Sequence, residues 1–254
     1  MPTIASVSQQ IPQFLSAEIA RRMDEKLSIV RIEPQQIGHL GEVDLTVLGQ
    51  RYPNAKHVCM QSNQANHLFK KLLNQFLGRP VLSSVSQQEF QSPNFDLLWS
   101  NLELQQHSDP KELVLSWKQS LMPESLLMFS YLGPDTGKEL KKYFKSDDLV
   151  RPQGMWDMHD VGDSLLKAGF AEPVMDMEYI TLEYESLELL SSEAFHLGLL
   201  NSSTVINPGM AVQPRFEMTI EVVYGHAWTP KFQTAQSTPG LATIRPEEII
   251  RSKK

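Results

Sequence analysis

Apolar positions along the chain recur with two different periods, and the segments that they define alternate. Spacing of three and four residues predicts helices over residues 12–28, 43–53, 63–78 and 110–121. Short apolar runs predict strands over 35–40, 56–61, 80–85, 95–101 and 125–132. Strands and helices alternate at the spacing of βαβ units. This order predicts a mostly parallel sheet that is covered by helices on both faces.

The second half of the chain has a different pattern. We expect helices over 135–145 and 160–169, with a loop between them. Residues 173–184 and 216–228 alternate apolar and polar side chains, which predicts two half-exposed strands that close one edge of the sheet. The expected organisation is an N-terminal helical segment (1–34), a main domain (35–228) and a partly disordered tail (229–254).

Net charge and cysteine content limit the classes of function that this chain can have. The 254 residues carry a net charge of -7, which argues against nucleic-acid binding because that requires a basic surface. Cys59 is the single cysteine, so the chain forms no internal disulfide and suits a reducing compartment. No apolar run has the length of a membrane span, and the N-terminus lacks the pattern of a signal peptide. We therefore expect a cytoplasmic protein.

One turn raises the question of a cofactor. The sequence "QQIGHLGEVDLTVLG" leads from a strand into a helix, where nucleotide-binding α/β folds carry a glycine-rich turn. Here only Gly38 and Gly41 are present, followed by Glu42, Val43 and Asp44. Val43 is β-branched and does not adopt the backbone conformations that glycine allows. No pair of the seven histidines has the spacing of a known metal site and a single cysteine cannot complete one, so we expect no structural metal.

Polar residues in "WDMHDVGD" precede the helix predicted at 160–169. His159 has the chemistry to contact a substrate carboxylate or to carry a proton as a catalytic residue. The alternative is structural, since Asp157 or Asp160 suits the N-terminus of that helix, and for the two aspartates we favour this alternative.

Four lysines in "KELKKYFK" have helical spacing. Lys138, Lys141, Lys142 and Lys145 would share one face of the helix predicted at 135–145. Such a face suits an acidic partner, whereas the commoner interpretation is a solvated surface.

Several segments carry a family resemblance. The sequences "FDLLWSNLELQQHSDP", "LLMFSYLGPDTGKEL", "DMHDVGDSLLKAGFAEPVMDMEYITLEY" and "EVVYGHAW" resemble the malonyl-acyl-carrier-protein O-methyltransferase family of biotin synthesis. The resemblance covers roughly residues 12–250. It implies a three-layer, seven-stranded, Rossmann-like methyltransferase fold with an antiparallel edge, S-adenosylmethionine as cofactor and an acyl carrier protein as partner.

The resemblance also assigns cofactor contacts. Gly41 matches the first glycine of the family's loop, and Asn101 matches the family pattern after the fourth strand. Val43 and Leu45 stand where the family has glycines, and Gln61 stands where it has an acid for the ribose hydroxyls. These departures predict that cofactor binding is weakened or lost.

Three functions follow from this resemblance. The first is methyl transfer to a carrier-bound malonyl group or another small carboxylate. The second is a catalytically inactive relative that binds a partner, such as an active paralogue or a carrier protein. The third is an assembly protein for a respiratory complex, because a nearby family is similar in the same segments. Only the first requires the cofactor to bind.

Overall fold

A computed structural model describes residues 11–60, 82–152, 154–201 and 215–231. Within these ranges one sheet contains the strands β1 (Gln36–Gly41), β2 (Lys56–Met60), β3 (Leu82–Val85), β4 (Phe95–Asn101), β5 (Leu121–Leu132), β6 (Ala171–Tyr184) and β7 (Phe216–Trp228). The α-helices of the same ranges are α1 (Gln13–Leu27), α2 (Leu45–Arg51), α3 (Gln87–Phe90), α4 (Pro110–Ser120), α5 (Met158–Lys167) and α6 (Leu187–His196).

The sheet has the strand order β3-β2-β1-β4-β5-β7-β6. Strands β1 to β5 are parallel, and β7 runs antiparallel to both of its neighbours. Strand β7, the last of the described strands along the chain, is therefore inserted between β5 and β6. This arrangement confirms the predicted seven-stranded fold with an antiparallel edge.

Helices cover both faces of the sheet. On one face, the apolar stripe of α1 packs with α2, α6 and inward side chains of β1, β4, β5 and β7. On the other face, α4 and α5 pack against the same strands, and Trp117 and Phe129 are in ring contact at 5.1 Å between centroids. The result is the three-layer arrangement that the alternation of strands and helices predicts.

Two strands extend beyond the carboxyl edge of the sheet. Strand β5 ends at Leu132, which pairs with Val222, whereas β6 and β7 continue their pairing to Tyr184 and Phe216. We call this two-stranded extension, residues 179–184 and 216–221, the β6–β7 ribbon. Its apolar side chains join those of α6 and of the segment 133–149 in the core of the first face.

The prediction of a helix at 135–145 is wrong. The segment forms turns and a short 3₁₀ helix at Leu140–Lys142. Gly137 has a φ of +73°, and its amide donates to the carbonyl of Thr219 on the ribbon. The Glu139 carboxylate accepts from the Thr219 amide at 3.0 Å. Local turns together with these contacts to β7 therefore take the place of the predicted α-helix. Helix α6 was not predicted from the sequence.

Candidate functional site

The carboxyl ends of β1 and β4 meet at Gly41 and Asn101, which are paired across the two strands. Gly41 has a φ of +71°, and a Cβ atom built there would lie 2.1 Å from the carbonyl oxygen of Asn101. Glycine is required at this position by the approach of two backbones. Gly38 lies inside β1 and not in the turn, and a Cβ atom there would meet the Leu98 and Phe95 side chains.

Three residues, Glu42 to Asp44, connect β1 to α2. The Asp44 carboxylate accepts from the backbone amide of Thr46 at 2.8 Å and from its hydroxyl at 2.7 Å. It is the N-cap of α2, so the chain's own carboxylate already binds an amide that would otherwise be open to a ligand. Val43 projects into solvent with 40% of its surface exposed.

The side chain of Asn101 is fully buried and fully hydrogen-bonded. Its Nδ2 donates to the carbonyl of Ser16 at 3.1 Å and to that of Glu42 at 3.3 Å. Its Oδ1 accepts from the hydroxyl of Ser130 at 2.8 Å. The amide thus joins α1, the β1–α2 turn and β5. The expectation that Asn101 contacts a cofactor stays a prediction, and in this arrangement its amide atoms are all engaged within the protein.

Two carboxylates lie at the same edge. Burial raises the pKa of Glu42, and the nearby carboxylate of Glu103 raises it further. His107 Nε2 lies 3.0 Å from Glu103 Oε1. Like charges at close range favour a cationic neighbour. No sequence motif marks this pair, although Glu42 directly follows β1 and Glu103 lies two residues after β4.

A pair of buried histidines lies on β1 and β2, below this edge. His39 Nε2 and His57 Nδ1 are 2.9 Å apart, and the two side chains are 1% and 0% exposed. The other ring nitrogens, His39 Nδ1 and His57 Nε2, have no hydrogen-bond partner among the described residues. Burial lowers the pKa of His39 to about 3, and the His57 ring adds to this effect. Burial also lowers the pKa of His57, although the backbone of Tyr52 opposes the shift.

His159 lies on the other side of the sheet and is exposed. Asp157 is the N-cap of α5, and its Oδ1 accepts from the His159 amide at 2.8 Å and lies 2.8 Å from His159 Nδ1. These hydrogen bonds lower the pKa of Asp157. The capping role of Asp157 is confirmed. A catalytic role for His159 stays a prediction, and the structure does not place it with Gly41 and Asn101.

The lysines of the segment 133–149 do not share an α-helix face, because the segment forms turns and short 3₁₀ helices. Lys138 Nζ lies 4.3 Å from the ring centroid of Tyr179 and 3.7 Å from the Asp135 carboxylate. Lys141, Lys142 and Lys145 are exposed. Buried Leu140, Tyr143 and Phe144 fix this part of the segment to the core.

Sequence reasoning also missed a buried hydroxyl at the end of β5. Tyr131 is fully buried, and its hydroxyl has no hydrogen-bond partner among the residues that the structure describes. Burial raises its pKa, and the charges of Asp157 and Glu221 add to the shift. Glu221 accepts from the Asp135 amide, and burial raises its pKa as well. Both residues lie within apolar stretches that predict strands, which conceals their polar groups.

Some predictions fall outside the described residues, namely Gln61, the helix at 63–78 and most of the tail at 229–254. In the ranges that are described, no three histidine, cysteine or acidic side chains are grouped as metal ligands would be. No helix in those ranges combines the length and the hydropathy needed to cross a bilayer.

Comparison with known proteins covers most of the chain. It is similar to the malonyl-acyl-carrier-protein O-methyltransferase of Gallionella capsiferriformans, with 32% identity over 244 residues that cover 85% of this chain and 84% of the relative. The enzyme of the same name from Methylovorus sp. is 30% identical over 254 residues, which cover 87% of this chain and 84% of the relative. No family model matches the chain.

Solved structures agree on the fold. A putative methyltransferase from Bacillus halodurans superposes with a TM-score of 0.57 at 11% identity, covering 84% of this chain and 99% of the other. The YcgJ protein of Bacillus subtilis superposes with a TM-score of 0.56 at 8% identity, and the superposition covers 83% of this chain and 99% of that protein. With the identity and coverage of the curated relatives, these comparisons show that the chain belongs to the malonyl-acyl-carrier-protein O-methyltransferase family.

Proposed function

We propose that this protein is a malonyl-acyl-carrier-protein type methyltransferase in which binding of S-adenosylmethionine is weakened or lost at the β1–α2 turn. Its relatives' names support the reaction and the substrate class. The observation that supports the proposed loss of cofactor binding is the N-cap of α2, where the Asp44 carboxylate accepts from the Thr46 amide. Gly41 is required by the contact with β4, so its presence does not indicate a ligand.

The residues at the carboxyl ends of β1 and β4 fit S-adenosylmethionine only in part. Glu42 and Glu103 are suited to the cationic amino-acid end of S-adenosylmethionine, because two carboxylates there repel each other without a cation. Val43, by contrast, places a β-branched side chain where the backbone of a cofactor loop must approach its ligand. The amide of Asn101 is engaged with three protein groups.

The reaction itself demands little from the protein's acids and bases. When bound, the cofactor supplies a sulfonium methyl group that a carboxylate oxygen can accept directly. The chain's contribution is to position the two reactants. Exposed His159, next to the Asp157 carboxylate, has a ring N–H that is available to donate to a substrate carboxylate.

Calorimetric titration with S-adenosylhomocysteine tests the proposal. We expect no binding tighter than about millimolar, because the turn offers few free amides. The Val43→Gly variant should bind more tightly, while Val174→Gly, at an exposed position on β6, which three strands separate from β1, should not. A thermal melt provides a second readout, since a ligand at a hundred times its Kd stabilises by about 2.7 kcal/mol. Micromolar binding by the unaltered protein would overturn the proposed loss and call for a methyl-transfer assay on malonyl-carrier protein.

The second candidate function is that of an inactive relative that binds a partner. It is favoured by the exposed Lys141, Lys142 and Lys145, which are held by a buried anchor in a chain of net charge -7. An acyl carrier protein, which is acidic, or an active paralogue suits this surface. A role in assembling a respiratory complex would instead require association with a component of that complex.

Charge reversal tests the lysine surface. Lys141→Glu with Lys142→Glu should weaken binding of the acyl carrier protein at least tenfold, because two attractive charges become repulsive. Lys56→Glu with Lys111→Glu makes the same change in net charge at exposed positions elsewhere and should leave the affinity unchanged. Equal losses in both variants would mean that net charge, and not this surface, governs the interaction.

A further inference from the structure

Asn101 connects three elements that come from distant parts of the chain. Its Nδ2 reaches the carbonyl of Ser16, 85 residues earlier, and the carbonyl of Glu42, 59 residues earlier. Its Oδ1 accepts from Ser130 on β5. Two carbonyl acceptors around one nitrogen define the orientation of the amide, because a rotated amide would place oxygen against both carbonyls.

The contacts around this side chain are buried and short. Asn101 is 0% exposed and Ser16 is 8% exposed. The Asn101 carbonyl also accepts from the Glu42 amide at 2.8 Å, so the turn is bound by both the backbone and the side chain of one residue. Movement of either α1 or the turn would leave an amide proton of Asn101 buried without an acceptor, which is energetically costly.

We propose that Asn101 is a positioning residue that couples the seating of α1 to the conformation of the β1–α2 turn. The functional relevance of this turn rests on the proposed function, in which the conformation of the turn determines whether the cofactor binds. The coupling itself requires no ligand. A protein whose α1 is displaced would thereby also lose the ordered turn at the edge of the sheet.

Hydrogen exchange measures this coupling in the full chain without ligand. Asn101→Asp, which replaces two donors by an oxygen of equal size, should raise exchange about tenfold or more in both α1 and residues 42–44. Protection in β6 and β7 should remain. Ser130→Ala is the matched control, because it removes only the contact on Oδ1 and should leave α1 and the turn linked. If Asn101→Asp does not fold, Asn101→Ala removes the same donors without adding a repulsive oxygen.

A mutational cycle separates coupling from a merely structural role. Ala17→Gly should loosen α1 about fivefold through helix propensity alone, and we expect faster exchange at residues 42–44 in the same protein. In the Asn101→Ala background, Ala17→Gly should no longer affect the turn. The proposal is overturned if Ala17→Gly still speeds exchange at residues 42–44 in the Asn101→Ala background. It is also overturned if the effect of Ala17→Gly disappears only in an Arg51→Ala background, because the Asp24–Arg51 ion pair would then be the link between α1 and α2. The strength of cofactor binding does not affect these exchange measurements, which are made without ligand. The proposed loss of cofactor binding and the proposed coupling through Asn101 can therefore be overturned independently.

Discussion

At the scale of single residues, the His39–His57 pair makes stability depend on pH. Both pKa values are lower in the folded protein than in the unfolded chain, so the unfolded state binds more protons below about pH 6.5. The free energy of unfolding should therefore fall as the pH falls from 7 to 4, by about 3 kcal/mol from His39 alone.

Urea unfolding at several pH values checks this prediction. The double variant His39→Leu/His57→Leu should show a flatter dependence on pH, because the two fully buried imidazoles are removed and only half-buried His226 keeps a pKa lowered by burial among the described histidines. His196→Gln, which replaces an exposed histidine, should retain the steep dependence. A double variant as sensitive to acid as the unaltered protein would show that other groups control the transition.

Gly41 and Gly169 provide a matched comparison. Both have positive φ angles, +71° and +82°, but a Cβ atom at Gly169 would meet no atom within 4 Å. Gly169→Ala should lower the free energy of unfolding by about 1 kcal/mol through backbone strain alone. Gly41→Ala should lower it by roughly 3 kcal/mol, because a clash with the Asn101 carbonyl is added. Similar losses in denaturant melts would mean that the β1–β4 contact relaxes without cost.

Residue roles were harder to predict than residue types. The sequence marks Gly41 as special but does not tell whether a ligand or the carbonyl of Asn101 requires it. Asp157 could be predicted as a helix cap because the capping signal is local. Glu42 and Glu103 could not be paired from the sequence, since their proximity depends on β1 and β4 being neighbours in the sheet.

At the scale of elements, an ion pair between Asp24 and Arg51 adds to the apolar packing of α1 with α2. The Arg51 guanidinium binds the Asp24 carboxylate through two nitrogens, one of them at 2.7 Å, and both side chains are at least two-thirds buried. A double-mutant cycle with Asp24→Ala and Arg51→Ala should give a coupling of about 1 kcal/mol. The same cycle for Asp163 and Lys167, about 70% exposed and 3.8 Å apart, should give almost none. Equal values would show that burial of the first pair adds nothing.

The segment 133–149 shows where element prediction fails. Leu140, Tyr143 and Phe144 have the spacing of an apolar helix face, and all three are buried as that pattern predicts. The residues before them, however, bind to Thr219 on β7: the Gly137 amide donates to the Thr219 carbonyl, and the Glu139 carboxylate accepts from the Thr219 amide 80 residues away. Periodicity predicted which side chains enter the core but not which partner satisfies the backbone.

At the scale of the whole molecule, the fold followed from alternation. Five strands with intervening helices predict a parallel sheet, and the alternation in 173–184 predicts the half-exposed edge strand that β6 forms. The prediction that 216–228 is also half-exposed is wrong, because β7 lies between two strands and is covered on both faces. The sequence did not show that β7 would lie between β5 and β6, because strand order is not encoded in periodicity. The ribbon was also not predicted, since it depends on the register of β7 against β5.

The placement of β7 has a consequence for synthesis of the chain. Helix α1 binds to β6 through Arg22 with Glu178 and Lys26 with Asp176, and Lys26 also lies 4.7 Å from the ring centroid of Tyr224 on β7. At about 5–20 residues per second, the ribosome needs roughly 10–40 s to proceed from α1 to the end of β7. Throughout that time the apolar stripe of α1 lacks part of its binding surface. Helix α1, the first of the described helices to be made, is thus among the last to be fully covered, and its apolar stripe stays partly exposed to a chaperone until β7 is complete.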